Sequence, residues 1–239
     1  MKILEVRDIH SFYGKSHVIQ GVSMELDPGA FVCLLGRNGV GKTTTLHSIM
    51  GMVKPRSGSI LFKGEELRGM KPFQIARKGV GLVPETRRIF ASLSLEENLT
   101  LAMLGNKRRR VSKENRWTTE SIYRLFPRLA ERKHQNGGHL SGGEQQMLTI
   151  ARTLMGNPEI VLVDEPTEGL APVIAKSVMD MLRDINDAGV TILIVEQNMK
   201  MAMKLVNLFY VMGKGRMVFE GDREALLGAD EVRKQYLEV

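Results

Sequence analysis

The stretch Phe31-Val32-Cys33-Leu34-Leu35-Gly36-Arg37-Asn38-Gly39-Val40-Gly41-Lys42-Thr43-Thr44 begins apolar and ends in glycines, a lysine and threonines. Phe31 to Leu35 reads as a short buried strand, and Lys42 to Met50 as a helix. Between them, Gly36 to Thr43 fits the phosphate-loop pattern of Gly, any four residues, then Gly-Lys-Thr, in the strand-to-helix context that the pattern requires. Gly36, Asn38, Gly39 and Gly41 form the cradle, because glycine lets the backbone turn its N–H groups toward phosphate oxygens. The start of the helix, Lys42 to Thr44, adds a favourable partial positive charge. Lys42 can reach the outer phosphates of a bound nucleotide, and the Thr43 hydroxyl can bind Mg²⁺.

Working outward, the apolar run Ile160-Val161-Leu162-Val163 ends in Asp164-Glu165. Its expected place is beside the Phe31–Leu35 strand. Asp164 then holds Mg²⁺, directly or through water, and Glu165 faces the terminal phosphate as a general base for the attacking water.

The rest of the chain alternates strands with helices. Ile3 to Ile9 and Val18 to Leu26 read as strands joined near Tyr13-Gly14, with Pro28-Gly29 as a further turn. Ser59 to Phe62 and Val80 to Pro84 read as short strands. From about Ser94 to Arg132 the pattern is helical and highly charged, an inserted helical subdomain. A further helix runs to about Met155, before Pro158. Val173 to Ile185 is an amphipathic helix, and Val190 to Val195 a buried parallel strand. Phe209 to Met212 and Arg216 to Phe219 form a hairpin around Gly213-Lys214-Gly215, and a short helical tail follows. The alternation predicts an α/β fold with a mostly parallel sheet covered on both faces.

Composition narrows the class. The chain has 239 residues, 43% hydrophobic but only 5% aromatic, so its core is expected to be aliphatic. Its 15 methionines read as pliable core filler, with an adaptable docking surface as the alternative. The lone Cys33 cannot form an internal disulfide and reads as a small buried hydrophobe in a reducing compartment. No stretch approaches the roughly 18 uninterrupted apolar residues needed to span a bilayer. The net charge of +7 favours anionic partners. Its densest cluster, Lys107-Arg108-Arg109-Arg110 with Lys113 and Arg116, reads as a solvated loop or a contact for lipid headgroups or nucleic acid. No aromatic residue interleaves with it, which disfavours nucleic acid.

Leu140-Ser141-Gly142-Gly143-Glu144-Gln145-Gln146 resembles the signature motif of ABC-transporter ATPases, and the resemblance extends over essentially the whole chain with the motifs in family order. It implies a single ABC ATPase domain over residues 1–239: a P-loop NTPase core plus an antiparallel β subdomain over 1–85 and 158–239, and a helical subdomain with the signature over 86–157. It implies that Tyr13 stacks on adenine and that Glu85, in Val83-Pro84-Glu85-Thr86, occupies the Q-loop position near nucleotide and Mg²⁺. Ser141, Gly142 and Gly143 are implied to contact ATP held by an opposite subunit in a head-to-tail dimer. Glu168-Gly169-Leu170-Ala171 matches the D-loop.

Three positions depart from the family pattern: Glu85 replaces Gln, Ala171 replaces Asp, and Gln197 stands where the switch His is usual. Gln197 can donate a hydrogen bond to a phosphate oxygen but cannot carry charge. These departures resemble the LivF-type second ATPase subunit of branched-chain amino acid importers and the related urea or amide importer subunits. The implied partners are permease subunits, a second ABC ATPase subunit in a heterodimer (or a second copy in a homodimer), and indirectly a periplasmic-type binding protein. The implied cofactors are ATP and Mg²⁺, and the implied location is peripheral, on the cytoplasmic face of the membrane. An exporter ATPase shares the same enzymology. A nucleic-acid ABC ATPase of the repair type is disfavoured: roughly a hundred residues separate phosphate loop and signature, without sustained heptads.

Overall fold

The computed structural model of the chain describes residues 1–104 and 117–238. The basic cluster Lys107 to Arg110, with Lys113 and Arg116, lies outside the described residues.

Strands β1 (Leu4–Tyr13) and β2 (Ser16–Leu26) form an antiparallel hairpin whose inward positions are aliphatic: Leu4, Val6 and Ile9 on one strand, Ile19, Val22 and Leu26 on the other. β3 (Phe31–Leu35) leads through the glycine-rich loop into α1 (Lys42–Ile49). β4 (Ser57–Phe62) and the short β5 (Glu65–Glu66) complete an antiparallel sheet of order β2-β1-β4-β5. Then come α2 (Pro72–Lys78) and β6 (Val80–Val83). The helices α3 (Leu95–Leu104), α4 (Thr119–Leu125), α5 (Pro127–Glu131) and α6 (Gly142–Leu154) follow before the chain returns to strand. The remainder runs β7 (Ile160–Asp164), α7 (Pro172–Asp187), β8 (Thr191–Glu196), α8 (Met199–Ala202), β9 (Leu208–Gly213), β10 (Arg216–Asp222), α9 (Arg223–Gly228) and α10 (Asp230–Tyr236).

The second sheet has the order β10-β9-β3-β8-β7-β6, parallel except for β10 on its edge. The fold is therefore α/β, with a mostly parallel sheet and an antiparallel one. One expectation is corrected. The strand ending in Asp164 is not beside the phosphate-loop strand, because β8 lies between them, pairing with β3 from Phe31↔Ile192 to Leu35↔Glu196 and with β7 on its other side. The reason is physical: helical crossovers let a chain skip a sheet position, so the order of motifs does not dictate the order of strands. β8 is buried at every residue, which suits a central strand.

Side-chain alternation divides the core. Cys33 and Leu35 face a helical layer with Leu148, Leu154, Val178 and Leu182, whereas Val32 and Leu34 face the other way, against Leu46, Ile9, Ile19 and Val22. In α7, Ala175, Val178, Met179, Leu182 and Ile185 are buried at helical spacing. Burial pushes the Cys33 thiol well up, which keeps it an inert core group. Met24, Met155, Met179 and Met212 are buried filler, while Met52 is exposed.

Replacing Leu162, which is fully buried in β7, by alanine is expected to cost about 2–5 kcal/mol of unfolding free energy in a urea titration, through lost burial and the cavity left behind.

Candidate nucleotide-binding site

Glycine is required in the loop between β3 and α1. Gly39 has φ 79° and Gly41 φ 113°, and a Cβ on Gly41 would stand 2.8 Å from Ile19 Cδ1. Gly41 is the N-cap of α1 and offers no side chain to it. The first helical bond runs from the Thr45 N–H to the Gly41 carbonyl at 2.9 Å. The N–H groups of Lys42, Thr43 and Thr44 precede it, so the helix offers them no partner of its own, and they form an anion-seeking end.

Lys42 is buried at the floor of this loop. Its Nζ lies 3.0 Å from Glu165 Oε1 and donates to the Arg37 carbonyl at 3.1 Å. The Thr43 hydroxyl donates to Asp164 Oδ1 at 3.0 Å. Thus the two sequence motifs, separated in the chain and by a strand in the sheet, meet side chain to side chain. Asp164 is almost fully buried. Burial pushes its carboxyl up to about 6, against the Thr43 hydrogen bond, and the nearby Glu165 and Glu85 push the same way.

Just past β7, Glu165 takes φ 41° while its N–H bonds the Val195 carbonyl at 3.0 Å. The turn carries the side chain back toward Lys42. Glu168 is raised by burial first and then by its hydrogen bond to Glu165. Glu196, at the end of β8, is buried. It accepts hydrogen bonds from Thr167 Oγ1 at 2.7 Å and from the Gln197 N–H at 3.2 Å, and burial raises its carboxyl.

A cleft of about 250 Å³ opens here, lined by Val18, Asn38, Gly39, Gly41, Lys42, Thr43, Thr44, Glu85, Glu165 and Glu168. Its amide-rich floor suits phosphate. Its paired hydroxyl and carboxylate, Thr43 and Asp164, are the hard oxygen donors that Mg²⁺ prefers, so the residues present fit that ion.

Other expected residues lie around the cleft rather than in its lining. Tyr13, at the end of β1, is 51% exposed. Gln197 is exposed just beyond β8. Ser141 caps α6, accepting from the Glu144 N–H at 3.4 Å while its own hydroxyl donates to Glu144 Oε2 at 2.8 Å. Gly142 and Gly143 open the helix, and a Cβ on Gly143 would meet Ile174 Cγ2 at 2.5 Å. The segment after Glu85 is tied to α6, since Thr149 Oγ1 donates to the Arg87 carbonyl and Arg152 Nη1 to the Arg88 carbonyl, both at 2.8 Å. Sequence reading missed Val18 as a cleft residue and gave no part to Glu196. Val18 carries no chemical signal, and an acid ending an apolar strand is the only hint for Glu196.

A glycine-rich loop between β3 and α1, an acid pair closing a parallel strand and a helix capped by Ser141 form the arrangement of an ABC-type ATPase, and the ABC transporter family pattern matches residues 19–168. The chain belongs to the ABC transporter family. It is 40% identical to the high-affinity branched-chain amino acid transport ATP-binding protein BraG of Pseudomonas aeruginosa, over 98% of this chain and 99% of that protein. It is 30% identical to the probable branched-chain amino acid transport ATP-binding protein LivF of Archaeoglobus fulgidus, over 97% of each. Its fold superposes on a nucleotide-free ATP-binding cassette from an ABC transporter with TM-score 0.83 at 24% identity, covering 98% of this chain and 97% of the other.

The raised Asp164 makes a pH prediction. Its carboxyl titrates near 6 in the fold against 3.8 unperturbed, so its protonated form favours folding most at low pH. That advantage is lost as pH rises, and the cost of burying the charge is complete above about pH 6. Asp164→Asn is therefore expected to stabilise the nucleotide-free protein above that pH by about 2 kcal/mol in denaturant titrations, with the gain fading toward about pH 4.

Proposed function

We propose that this chain is the ATP-hydrolysing subunit of an importer for branched-chain amino acids, working under separate membrane-spanning permeases. The observation that carries the chemistry is the meeting of Lys42, Thr43, Asp164 and Glu165 at one cleft. The similarity to BraG and LivF over nearly the whole chain supports the substrate class.

In this reading, the loop amides and Lys42 grip the phosphates of ATP, and Tyr13 stacks on adenine. Thr43 and Asp164 would hold Mg²⁺, with Glu85 close by; when bound, the ion would supply charge neutralisation on the outer phosphates. Before ATP arrives, Glu165 neutralises Lys42 across 3.0 Å. The γ-phosphate takes over Lys42, and Glu165 turns to a water molecule. As that water attacks phosphorus, Glu165 accepts its proton and ADP leaves with the broken bond's electron pair. Gln197 donates a hydrogen bond to the terminal phosphate. Positioning and electrostatics supply most of the acceleration.

Ser141, Gly142 and Gly143 serve the ATP of a facing subunit, so the working unit is a head-to-tail dimer. The uncharged Gln197 favours a heterodimer with a second ABC ATPase, with two unequal sites. Residues 1–85 and 158–239 form the core with the β subdomain, and 86–157 form the helical subdomain. Among the described residues no helix is long and apolar enough to cross a membrane, which agrees with a peripheral position on the cytoplasmic face.

Glu165→Gln is expected to keep ATP binding and to lower hydrolysis by about a hundredfold or more, measured as phosphate release from the assembled complex, as for loss of a general base. An unchanged rate would assign the base elsewhere. Affinity capture of the tagged chain in mild detergent is expected to recover two permeases and a second ABC ATPase. Recovery of nucleic acid without any permease would overturn the transport reading.

A further inference from the structure

The hairpin that carries Tyr13 is braced on both faces. On the inner face, Ser11 is buried and its hydroxyl lies 2.8 Å from that of Ser48 in α1. Ser48 in turn donates to the Thr44 carbonyl at 2.8 Å, so the Ser11 hydroxyl is the donor to Ser48. This pair sets the register of β1 against the helix that begins at the phosphate loop. On the outer face, the side chain of Phe12 is held between two groups. His17, its cross-strand partner, stacks on it with centroids 4.1 Å apart and planes 6° from parallel. The Arg56 guanidinium carbon stands 3.9 Å from the ring centroid. Two groups this close cannot share one face of a ring, so Phe12 is sandwiched.

Arg56 makes two further contacts. Its Nη2 donates to the Gly14 carbonyl at 2.8 Å, inside the turn that follows Tyr13, and its N–H bonds the His10 carbonyl at 2.7 Å. The stack continues past His17 to His10, whose Nδ1 lies 3.0 Å from His17 Nε2, and on to Asp8 at 3.3 Å. Tyr13 itself is half exposed, and a solvated aromatic on a two-strand tip loses orientational freedom when it stacks on a base. Arg56 touches the residue before it and the residue after it.

We propose that Arg56, through Phe12 and the Gly14 carbonyl, is a positioning residue that presets Tyr13 for the adenine ring and so separates affinity for the base from affinity for the phosphates. This rests on the reading of Tyr13 as the adenine-stacking residue. It assigns the base end of the cleft to an Arg56–Phe12–His17 stack, none of whose residues lines the cleft around Lys42.

The test is calorimetric titration of the full-length chain with Mg-ATP and, in parallel, with Mg-tripolyphosphate, which lacks base and ribose. Arg56→Ala is expected to raise Kd for ATP about fivefold, the combined size of a cation–π contact and one hydrogen bond. Its Kd for tripolyphosphate is expected to stay within about twofold of wild type. Arg56→Lys, which keeps the charge, is expected to recover part of the loss, and Phe12→Leu to reproduce it. The double variant of Arg56→Ala with Tyr13→Ala is expected to bind ATP no worse than Tyr13→Ala alone, because the brace acts only through the ring. Normal ATP binding by Arg56→Ala, with weakened binding by Tyr13→Ala, would overturn the brace and leave the stacking reading standing. Unchanged binding by Tyr13→Ala would overturn the stacking reading and this inference with it. Equal weakening toward both ligands would show a general disturbance of the cleft and would also overturn it.

Discussion

The glycine loop and the acids of the cleft depend on parallel strands ending at the same edge of one sheet. β3 delivers the glycine loop, β7 the acid pair and β8 the Glu196-Gln197 segment. Parallel pairing brings these carboxyl ends together in register, and burial on both faces makes that register hard to slip. An antiparallel neighbour would send one of the three loops to the far side of the molecule. Direct contacts between loops then fix the rest. Lys42 pairs with Glu165, Thr43 bonds Asp164, and the Glu165 N–H bonds the Val195 carbonyl.

The acids outnumber the cations in this cleft. Asp164, Glu165 and Glu168 crowd around Lys42; burial raises the carboxyls of Asp164 and Glu168, and Glu165 and Glu85 push both the same way. Such a cluster is uncomfortable alone and suits the arrival of a divalent ion with a polyphosphate. A second line of contacts leaves the cleft toward α6. Past Glu85, the carbonyls of Arg87 and Arg88 accept from Thr149 and Arg152 of α6. The segment after Glu85 is thereby tied directly to the helix that Ser141 caps; in the proposed function that tie would link the nucleotide to a facing subunit.

The local chemistry was the most legible part of the sequence. The glycines, Lys42, Thr43, Asp164 and Glu165 carry spacing that a phosphate site requires, and the structure brings them to one cleft. Phe31–Leu35 and Val190–Val195 were readable as strands because each is a short, continuous apolar run. Strand order was not legible: β8 between β3 and β7 follows from crossover geometry, which leaves no mark on composition. α2 also escaped notice, because only Ile75 of its residues is buried and an apolar stripe never develops. Glu196 was hidden for a related reason. Its partners, Thr167 and the backbone beyond β8, become neighbours only once β7 and β8 are side by side.

The cleft also lies on a seam. Lys42, Thr43 and Glu165 come from the parallel sheet and the loops and helix at its edge, whereas Val18 comes from the antiparallel hairpin, with Tyr13 nearby on the same hairpin. The two halves meet through aliphatic packing and a few backbone bonds, such as Gln20 N–H to the Gly215 carbonyl at 2.8 Å. In the proposed function, a nucleotide gripped at one end by α1 and at the other by the hairpin would act as a rivet across that seam. On that reading the empty protein would breathe along a line that the filled protein has fastened, and occupancy would be felt in the stiffness of the whole chain as well as in its cleft.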